Sequence, residues 1–477
     1  MAQQTVRYAL AALIIIIIVA VIIIFFNRYN QISTITAVSA YTTVPVSNVT
    51  GSSGMQNTSA STSGVSTTST PTTITSTTIT PVYLNQVGSI ALQQGSPMFM
   101  VNDPSNGYVY VGLTNGTSTF YLYVISGSSV VAKIRLHNIP ISAVYNPSNG
   151  YVYVLTAGYI SGSLYNNFGG NVTVISGTSV VGNVSVNDEA NLMMYDPNNN
   201  YIYVNNPGTY MGAVAVISGT SMLANVTLPN GFGYASVANF FTYDSKNGYV
   251  YVGDSYTSSS GLSNITVISG TSAIANITVA GAYPSQAVYN PSNGDVYVMF
   301  KDSTNIDVLS GTSVTDVITP PSANTYLNFL FYSPPTNYIY AVRNFTSIIS
   351  GTSIIANVST LPATSALYDP SNKYVYLFSI PDVQVFSGTS LLANISISYP
   401  TSALYDPSNG YILITHISTY SNSTNATLLS GTSVIGGVTI SGTNAESSLY
   451  DPKNGYIYVL NQGSSLTDSS PSVAVLH

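Results

Sequence analysis

The sequence predicts an all-β fold, a β-propeller of nine four-stranded blades preceded by one transmembrane helix. A motif of the form Tyr-Asp-Pro-x-Asn-Gly-Tyr-x-Tyr-Val recurs nine times with variations, and a second motif, Ser-Gly-Thr/Ser-Ser, recurs between the copies. From Tyr108 to Tyr456 there are eight steps, so the period is about 43–44 residues, which is typical of a propeller blade. An apolar run near the N-terminus is long enough to cross a bilayer.

Residues 1–29 are predicted to form a transmembrane signal anchor. Residues 8–26 are all apolar or aromatic, and as a helix they would span about 28 Å, close to the thickness of the hydrocarbon core. A cleaved signal peptide, with a cleavage site at residues 38–40, and a buried helix are the alternatives. The run is longer than a signal-peptide core, which favours the uncleaved anchor. Arg7 and Arg28 flank the run on both sides, so the positive-inside rule does not orient it.

Residues 30–82 are predicted to form a disordered, Ser/Thr-rich stalk. The chain has no Lys, Arg, Asp or Glu between Tyr29 and Asp103, and the segment offers too little apolar surface to offset the entropy of ordering it. Its composition resembles that of an O-glycosylated stalk, and a plain flexible linker is the alternative. Either would hold the propeller, residues 83–477, away from the membrane.

The orientation is predicted from the sequons for N-glycosylation. Asn-x-Ser/Thr occurs thirteen times after the apolar run, and its recurrence at one repeat position indicates that the C-terminal domain is extracellular and glycosylated. The predicted location is therefore the cell membrane, with a single span. The candidate glycosylation sites are Asn48, Asn57, Asn115, Asn171, Asn183, Asn225, Asn264, Asn276, Asn344, Asn357, Asn394, Asn422 and Asn425.

Each repeat contains the signals of four strands, which we name A to D in chain order. Strand A precedes a turn such as residues 196–200, where Pro and Asn suit a β-turn. Strand B follows as Tyr-x-Tyr-Val, for example residues 201–204, with the aromatic and β-branched residues that strands favour. Residues 172–175 illustrate strand C, and the Ser-Gly-Thr-Ser turn connects it to strand D at residues 180–186.

The two ends of the repeat region are predicted to pair. Residues 472–476 match strand C without a following strand D, whereas residues 87–92 precede the first repeat and match a strand D. The N-terminal strand would thus complete the last blade, which closes the ring and removes free sheet edges. Nine motifs and a shared blade give nine blades; a ring of seven or eight blades with accessory hairpins is the alternative.

Strand D is predicted to form the outer rim. Asn183, Asn225, Asn276, Asn357 and Asn394 each lie seven residues after the Ser of Ser-Gly-Thr-Ser, and Lys133 has the same position in the first repeat. Glycans or a lysine would protect these exposed strands from pairing with other chains. The alternative is that the Asn residues only supply polar side chains.

Binding is predicted on the face that carries the B–C and D–A loops. The A–B and C–D turns are nearly uniform, whereas the B–C loops range from short, near residues 344–346, to long, at residues 155–170, 254–263, 415–425 and 461–471. Variable loops on a rigid scaffold are the usual place for binding. The candidate binding aromatics in these loops are Tyr159, Tyr165, Phe168, Tyr210, Phe232, Tyr234, Tyr256, Tyr283 and Tyr420. Uncharged aromatic loops suit stacking on sugars or docking on a protein.

The repeats resemble a known family. Residues 203–206, Tyr-Val-Asn-Asn, together with the pairs Val174-Ile175 and Val180-Val181 of the preceding repeat, look like YVTN-type β-propeller repeats of surface-layer and other cell-surface proteins, notably archaeal ones. The resemblance covers about residues 87–477 and implies the fold. The short Ser-Gly-Thr-Ser turn departs from the family pattern, and related propellers include lactonase-like and quinoprotein enzymes.

Composition narrows the functional classes. Only 5% of the residues are charged and the chain has no Cys and three His. Nucleic-acid binding needs a dense basic patch, so we expect no nucleic-acid partner. His137 and His416 are predicted to be loop residues. We expect no catalytic residue, metal or cofactor, and so a non-enzyme.

The predicted function is a membrane-anchored surface interaction or adhesion module that binds a surface glycan or protein. The alternatives are a structural envelope protein that forms lateral arrays and an extracellular lactonase-like hydrolase.

Overall fold

A computed structural model describes residues 84–477, apart from 94, 115–118, 158–168, 188, 207–211, 229–237, 255–262, 280, 282, 322–326, 418–422 and 464–469. The described residues form nine four-stranded antiparallel sheets. The predicted signal anchor (1–29) and stalk (30–82) lie outside this range. Within it, no helix has the length and apolar character needed to cross a bilayer.

The blades are numbered from the first complete repeat. Blade one consists of β2 (Ser96–Asp103), β3 (Tyr108–Thr114), β4 (Phe120–Ser126) and β5 (Ser129–Leu136). Blade two consists of β6 (Ile139–Asn146), β7 (Tyr151–Ala157), β8 (Asn171–Ser176) and β9 (Ser179–Ser185). Blade three consists of β10 (Met193–Asp196), β11 (Tyr201–Asn205), β12 (Ala213–Ser218) and β13 (Ser221–Thr227). Blade four consists of β14 (Ala238–Asp244), β15 (Tyr249–Asp254), β16 (Ser263–Ser269) and β17 (Ser272–Val279). Blade five consists of β18 (Pro284–Asn290), β19 (Asp295–Phe300), β20 (Ile306–Ser310) and β21 (Ser313–Ile318). Blade six consists of β22 (Phe329–Ser333), β23 (Tyr338–Val342), β24 (Phe345–Ser350) and β25 (Ser353–Ser359). Blade seven consists of β26 (Ala363–Asp369), β27 (Tyr374–Ser379), β28 (Asp382–Ser387) and β29 (Ser390–Ser396). Blade eight consists of β30 (Pro400–Asp406), β31 (Tyr411–Ile417), β32 (Ser423–Ser430) and β33 (Ser433–Thr443). Blade nine consists of β34 (Ala445–Asp451), β35 (Tyr456–Asn461), β36 (Ser472–Leu476) and the N-terminal strand β1 (Gln86–Ala91).

The blades form a closed ring around their A strands. Each A strand contacts the A strands of both neighbouring blades, and β2 of blade one also contacts β34 of blade nine. The A strands therefore surround the axis, and the D strands lie at the outer rim. The prediction of a nine-bladed, four-stranded propeller is confirmed.

The ring closes through the N-terminal strand, as predicted. β1 pairs antiparallel with β36, with Ser89 opposite Ala474 and Ile90 opposite Val473. Beyond the strands, the backbone groups of Asn85 and His477 exchange two hydrogen bonds of 3.0–3.1 Å. The last blade therefore combines segments that are almost 400 residues apart in sequence, about the greatest separation that the described chain allows.

The hydrophobic core is divided into nine clusters, one between each pair of neighbouring blades. The cluster at the closure joins Ile90, Tyr458 and Val473 of blade nine to Val109 and Ile125 of blade one. Because each blade packs between two others, both sides of strands B and C are buried, which explains their nearly continuous apolar sequences.

A buried tyrosine links each of several blades to the next. The second Tyr of Tyr-x-Tyr-Val donates its hydroxyl to the carbonyl of the C–D turn Gly in the following blade, over 2.6–2.9 Å. The pairs are Tyr110 with Gly177, Tyr203 with Gly270, Tyr251 with Gly311, Tyr297 with Gly351, Tyr340 with Gly388 and Tyr376 with Gly431. The C–D turn of one blade is thus held by strand B of its neighbour.

The predicted loop at residues 415–425 is shorter than expected. β31 continues to Ile417 and β32 begins at Ser423, because His416 pairs with Asn425 across the two strands. His416 is therefore a strand residue, and its prediction as a loop residue is wrong. His137 lies in the connection between β5 and β6, as predicted.

Candidate functional site: the two faces and the outer rim

One face of the ring is built from turns of constant length. All nine A–B turns contain four residues and all eight C–D turns contain two. In blade three the backbone N–H of Asn198 donates to Asp196 Oδ1 over 2.8 Å, and that of Asn200 donates to the Asp196 carbonyl over 2.9 Å. Asn200 closes the turn with φ of 64°, a conformation that Asn and Gly tolerate best. Asp196 therefore stabilises the turn that follows it, by accepting hydrogen bonds from the backbone of that turn.

The opposite face varies from blade to blade. The B–C connection has two residues in blades six (343–344) and seven (380–381), but thirteen in blade two (158–170) and ten in blade nine (462–471). The D–A connections range from one residue (444) to ten (228–237). The contrast between the faces that the sequence predicted is thus present in the strand boundaries.

Tyr283 is the only predicted binding aromatic within the described residues. Its side chain is 47% exposed, and its backbone has φ of 55°. Its carbonyl accepts a hydrogen bond from the Lys301 N–H over 3.1 Å, which ties the D–A connection before blade five to the B–C connection of that blade. The others, Tyr159, Tyr165, Phe168, Tyr210, Phe232, Tyr234, Tyr256 and Tyr420, lie outside the described residues.

The five repeated sequon asparagines lie on the outer strands, and their side chains are exposed. Each Oδ1 accepts a hydrogen bond over 2.7–3.0 Å. The donor lies on the adjacent C strand in four blades and in a B–C connection in blade three. The pairs are Thr173 with Asn183, Asn206 with Asn225, Thr266 with Asn276, Ser347 with Asn357 and Gln384 with Asn394. Their Nδ2 atoms, where a glycan would be attached, donate to none of the described residues.

The remaining sequons lie elsewhere. Asn171, Asn264 and Asn425 are half-buried on C strands, and Asn344 is exposed in the short B–C turn of blade six. Asn48, Asn57, Asn115 and Asn422 lie outside the described residues. Among the described residues, the sequon asparagines with exposed side chains are therefore the five on the outer strands and Asn344.

Lys133 replaces the asparagine in blade one. Its Nζ lies 3.8 Å from the ring centroid of Tyr121 and 5.2 Å from that of Tyr123, both on the adjacent C strand. A cation over an aromatic face is stabilised by the ring quadrupole. The lysine charge is thus held against the sheet at the rim.

Every outer strand carries a β-bulge, a feature that the sequence analysis missed. The register between strands C and D shifts by one residue in all nine blades, including β36 and β1. Bulges disrupt the edge ladder and so oppose pairing with another chain. The bulged residue is apolar and 43–51% exposed in seven blades: Val87, Val131, Val181, Leu223, Ile274, Ile355 and Leu392. We call these seven residues the apolar collar.

An open cavity of about 330 Å³ lies beside His416, between blades seven and eight. His416 Nε2 is 3.0 Å from Thr427 Oγ1. Burial lowers the pKa of His416, and the backbone of Ser398 partly offsets this effect, so the ring is neutral near pH 7. Among the described lining residues, His416 is the only titratable side chain. Among the described residues, no three His, Cys, Asp or Glu side chains converge as a metal site would require.

Comparison with known proteins supports the fold alone. The chain resembles a solved structure described as the eukaryotic initiation factor, with a TM-score of 0.53 and 10% identity over 73% of this chain and 89% of that one. It also aligns with the C-terminal WD40 domain of Sif2, with a TM-score of 0.49 and 9% identity over 82% of this chain and 97% of that one. No family model and no curated protein sequence matches the chain significantly. The fold is a nine-bladed β-propeller.

Proposed function

We propose that this propeller is the extracellular part of a membrane-anchored, glycosylated protein that acts as a cell-surface interaction module. It binds a surface glycan or protein through the B–C and D–A connections. The resemblance of the repeats to YVTN-type surface propellers supports this location, as do the apolar run at residues 8–26 and the recurring sequons. We propose a binding role without catalysis.

The contrast between the two faces is the observation that carries the proposal. Turn lengths on one face are constant, while the connections on the other differ up to tenfold in length on the same ring. A scaffold that needed only to fold could use short connections in every blade, as blades six and seven show with two residues each. The long connections therefore add surface that the ring does not require, which is how binding loops are usually arranged.

Loop replacement in the full-length, detergent-solubilised chain tests the proposal. One variant replaces residues 158–170 and 462–471 with two-residue turns; the matched control exchanges the C–D turn residue Thr220 for Ser on the opposite face. Binding is measured on an array of defined oligosaccharides and on cell envelopes isolated from the producing organism. We expect the loop variant to lose binding while its circular dichroism and unfolding midpoint stay close to those of the control. Undiminished binding by the loop variant would contradict the proposal.

A structural role in the envelope is the second candidate, and the apolar collar favours it. Exposed Val, Leu and Ile residues at the same position in seven blades give the rim a repeated apolar surface. Exposed apolar patches often mark interaction sites. Such a rim suits lateral contact between rings.

A further inference from the structure

The outer strands are not equivalent around the ring. Those of blades two, three, four, six and seven carry a sequon asparagine, whereas those of blades one, five, eight and nine do not. The rim therefore has two regions without sequons: one covers the adjacent blades eight, nine and one, and the other is blade five alone. In an even ring of nine, blades one and five are separated by about 160°, so the two sequon-free regions lie on nearly opposite sides.

The charged residues of the outer strands lie in the same two sequon-free regions. Of the nine outer strands, all of which are fully described, only two contain a charged residue: β5 of blade one has Lys133 and Arg135, and β21 of blade five has Asp316. All three side chains are exposed. We call β5 the basic edge and β21 the acidic edge.

Both edges place apolar side chains beside the charges. On the basic edge Val130 and Val131 are 41% and 47% exposed, and on the acidic edge Val317 is 44% exposed. Val317 occupies the position of the sequon asparagines, so blade five has an apolar side chain where five other blades have a potential glycan. Complementary charges flanked by exposed apolar residues are the composition of a protein-binding surface.

We propose that the basic edge of one ring binds the acidic edge of a second copy of this chain, with Lys133 and Arg135 opposite Asp316. The contact is made by side chains, because the bulge in each outer strand interrupts the ladder that strand addition would need. Charge complementarity selects a second copy as the partner, because one molecule carries both halves of the contact on two separate blades. The inference names an interface for the lateral role and is independent of binding by the variable loops.

The arrangement determines the kind of assembly. A contact between different surfaces is heterologous, and each ring keeps one free edge after binding a neighbour. Since the two edges are about 160° apart, successive rings cannot close after two or three copies. The expected product is an open row that lengthens with concentration.

Charge reversal in the full-length chain tests this interface. Lys133→Glu with Arg135→Glu makes both edges acidic, and Asp316→Lys makes both edges basic. We expect each variant alone to associate at least tenfold more weakly than the unmodified chain in detergent solution, as measured by sedimentation velocity over a concentration series. Mixing the two variants restores opposite charges at every contact, so the mixture should regain the association of the unmodified chain.

Controls separate this interface from general charge effects and from the proposed loop function. Lys373→Glu changes an exposed charge in an A–B turn, away from both the outer strands and the variable connections, and should leave association unchanged. Val317→Asn creates an Asn-Ile-Thr sequon on the acidic edge and should block association when that site is glycosylated. A chain that stays monomeric at all concentrations, or a mixture that associates no better than its components, would overturn the proposal. Neither result would affect loop-dependent binding, which is measured separately.

Discussion

The hydroxyl of Tyr203 should contribute to the stability of the ring because it joins two blades. It donates to the Gly270 carbonyl of the next blade over 2.8 Å and accepts from Asn199 Nδ2 over 3.0 Å. Tyr203→Phe keeps the buried ring but removes both hydrogen bonds and leaves the Gly270 carbonyl without this donor. At about 0.5–1.5 kcal/mol net per hydrogen bond, the expected loss in the free energy of unfolding is about 1–3 kcal/mol.

Tyr201→Phe is the matched control. Tyr201 belongs to the same strand and motif, its side chain is half-buried, and its hydroxyl forms no hydrogen bond with any residue in the described part of the chain. We expect this substitution to change the free energy of unfolding by less than about 0.5 kcal/mol. Urea unfolding followed by far-ultraviolet circular dichroism measures both values, since the chain has no Trp to report by fluorescence. Equal losses for the two variants would refute the inter-blade role of the hydroxyl.

Three further predictions concern titration and modification. Burial raises the pKa of Tyr110, Tyr376 and Tyr458 to about 12; their contribution to stability is therefore complete below the ordinary pKa of about 10 and lost as the pH rises towards 12. Circular dichroism against pH should show the loss beginning near pH 10, and stability unchanged up to pH 12 would contradict this. Burial lowers the pKa of His416, so its contribution is present above the ordinary value of about 6.5 and falls as the pH drops below it; urea unfolding at pH 7 and pH 5 should show a smaller loss for His416→Gln than for the unmodified chain. Peptide mapping of protein from the native producer should find glycan on Asn183 and its equivalents on the other outer strands, and unmodified asparagine at all five would contradict the glycosylated rim.

Local turn chemistry explains why the architecture could be predicted from the sequence. Pro197 with the surrounding Asn residues specifies the A–B turn, and Gly177, with φ of 57°, specifies the C–D turn. These signals fix where each strand begins and ends, and the match between residues 87–92 and the other D strands was enough to predict closure. Each of these inferences depends on short-range sequence.

Features that depend on neighbouring strands or blades could not be predicted in the same way. Residues 180–186 read as one continuous strand, and nothing in Val-Val-Gly-Asn-Val distinguishes the bulged, exposed Val181 from a paired residue. The hydrogen bond from Tyr203 to Gly270 depends on how closely two blades approach. His416 shows the same limit, because the extension of β31 around it depends on pairing with β32.

The predicted binding face is only partly covered by the described residues. Tyr283 is exposed as expected, but the aromatic residues of the long loops lie outside the described residues. The alternative reading of the outer-strand asparagines, as suppliers of polar side chains, does find support, since Asn183 accepts a hydrogen bond from Thr173. That contact uses the amide oxygen, so it is compatible with the prediction that the amide nitrogen carries a glycan.

Closure of the ring by the N-terminal strand can be tested directly with one engineered disulfide. The chain has no cysteine, and Ser89 lies opposite Ala474 in the β1–β36 ladder. Directly opposite residues in an antiparallel pair have Cα atoms about 4.5–5.5 Å apart, within the range of a disulfide. The equivalent pair in blade two, Thr173 and Asn183, already joins its side chains over 3.0 Å.

The measurement is the rate of intramolecular disulfide formation under mild oxidation, read as a mobility shift on non-reducing gels. Ser89→Cys with Ala474→Cys should oxidise quantitatively within one chain, whereas Ser89→Cys with Ser448→Cys, which lie on opposite edge strands of the same blade, should not. Failure of the first pair to oxidise, or its oxidation only between chains, would contradict a ring closed by its N-terminal strand.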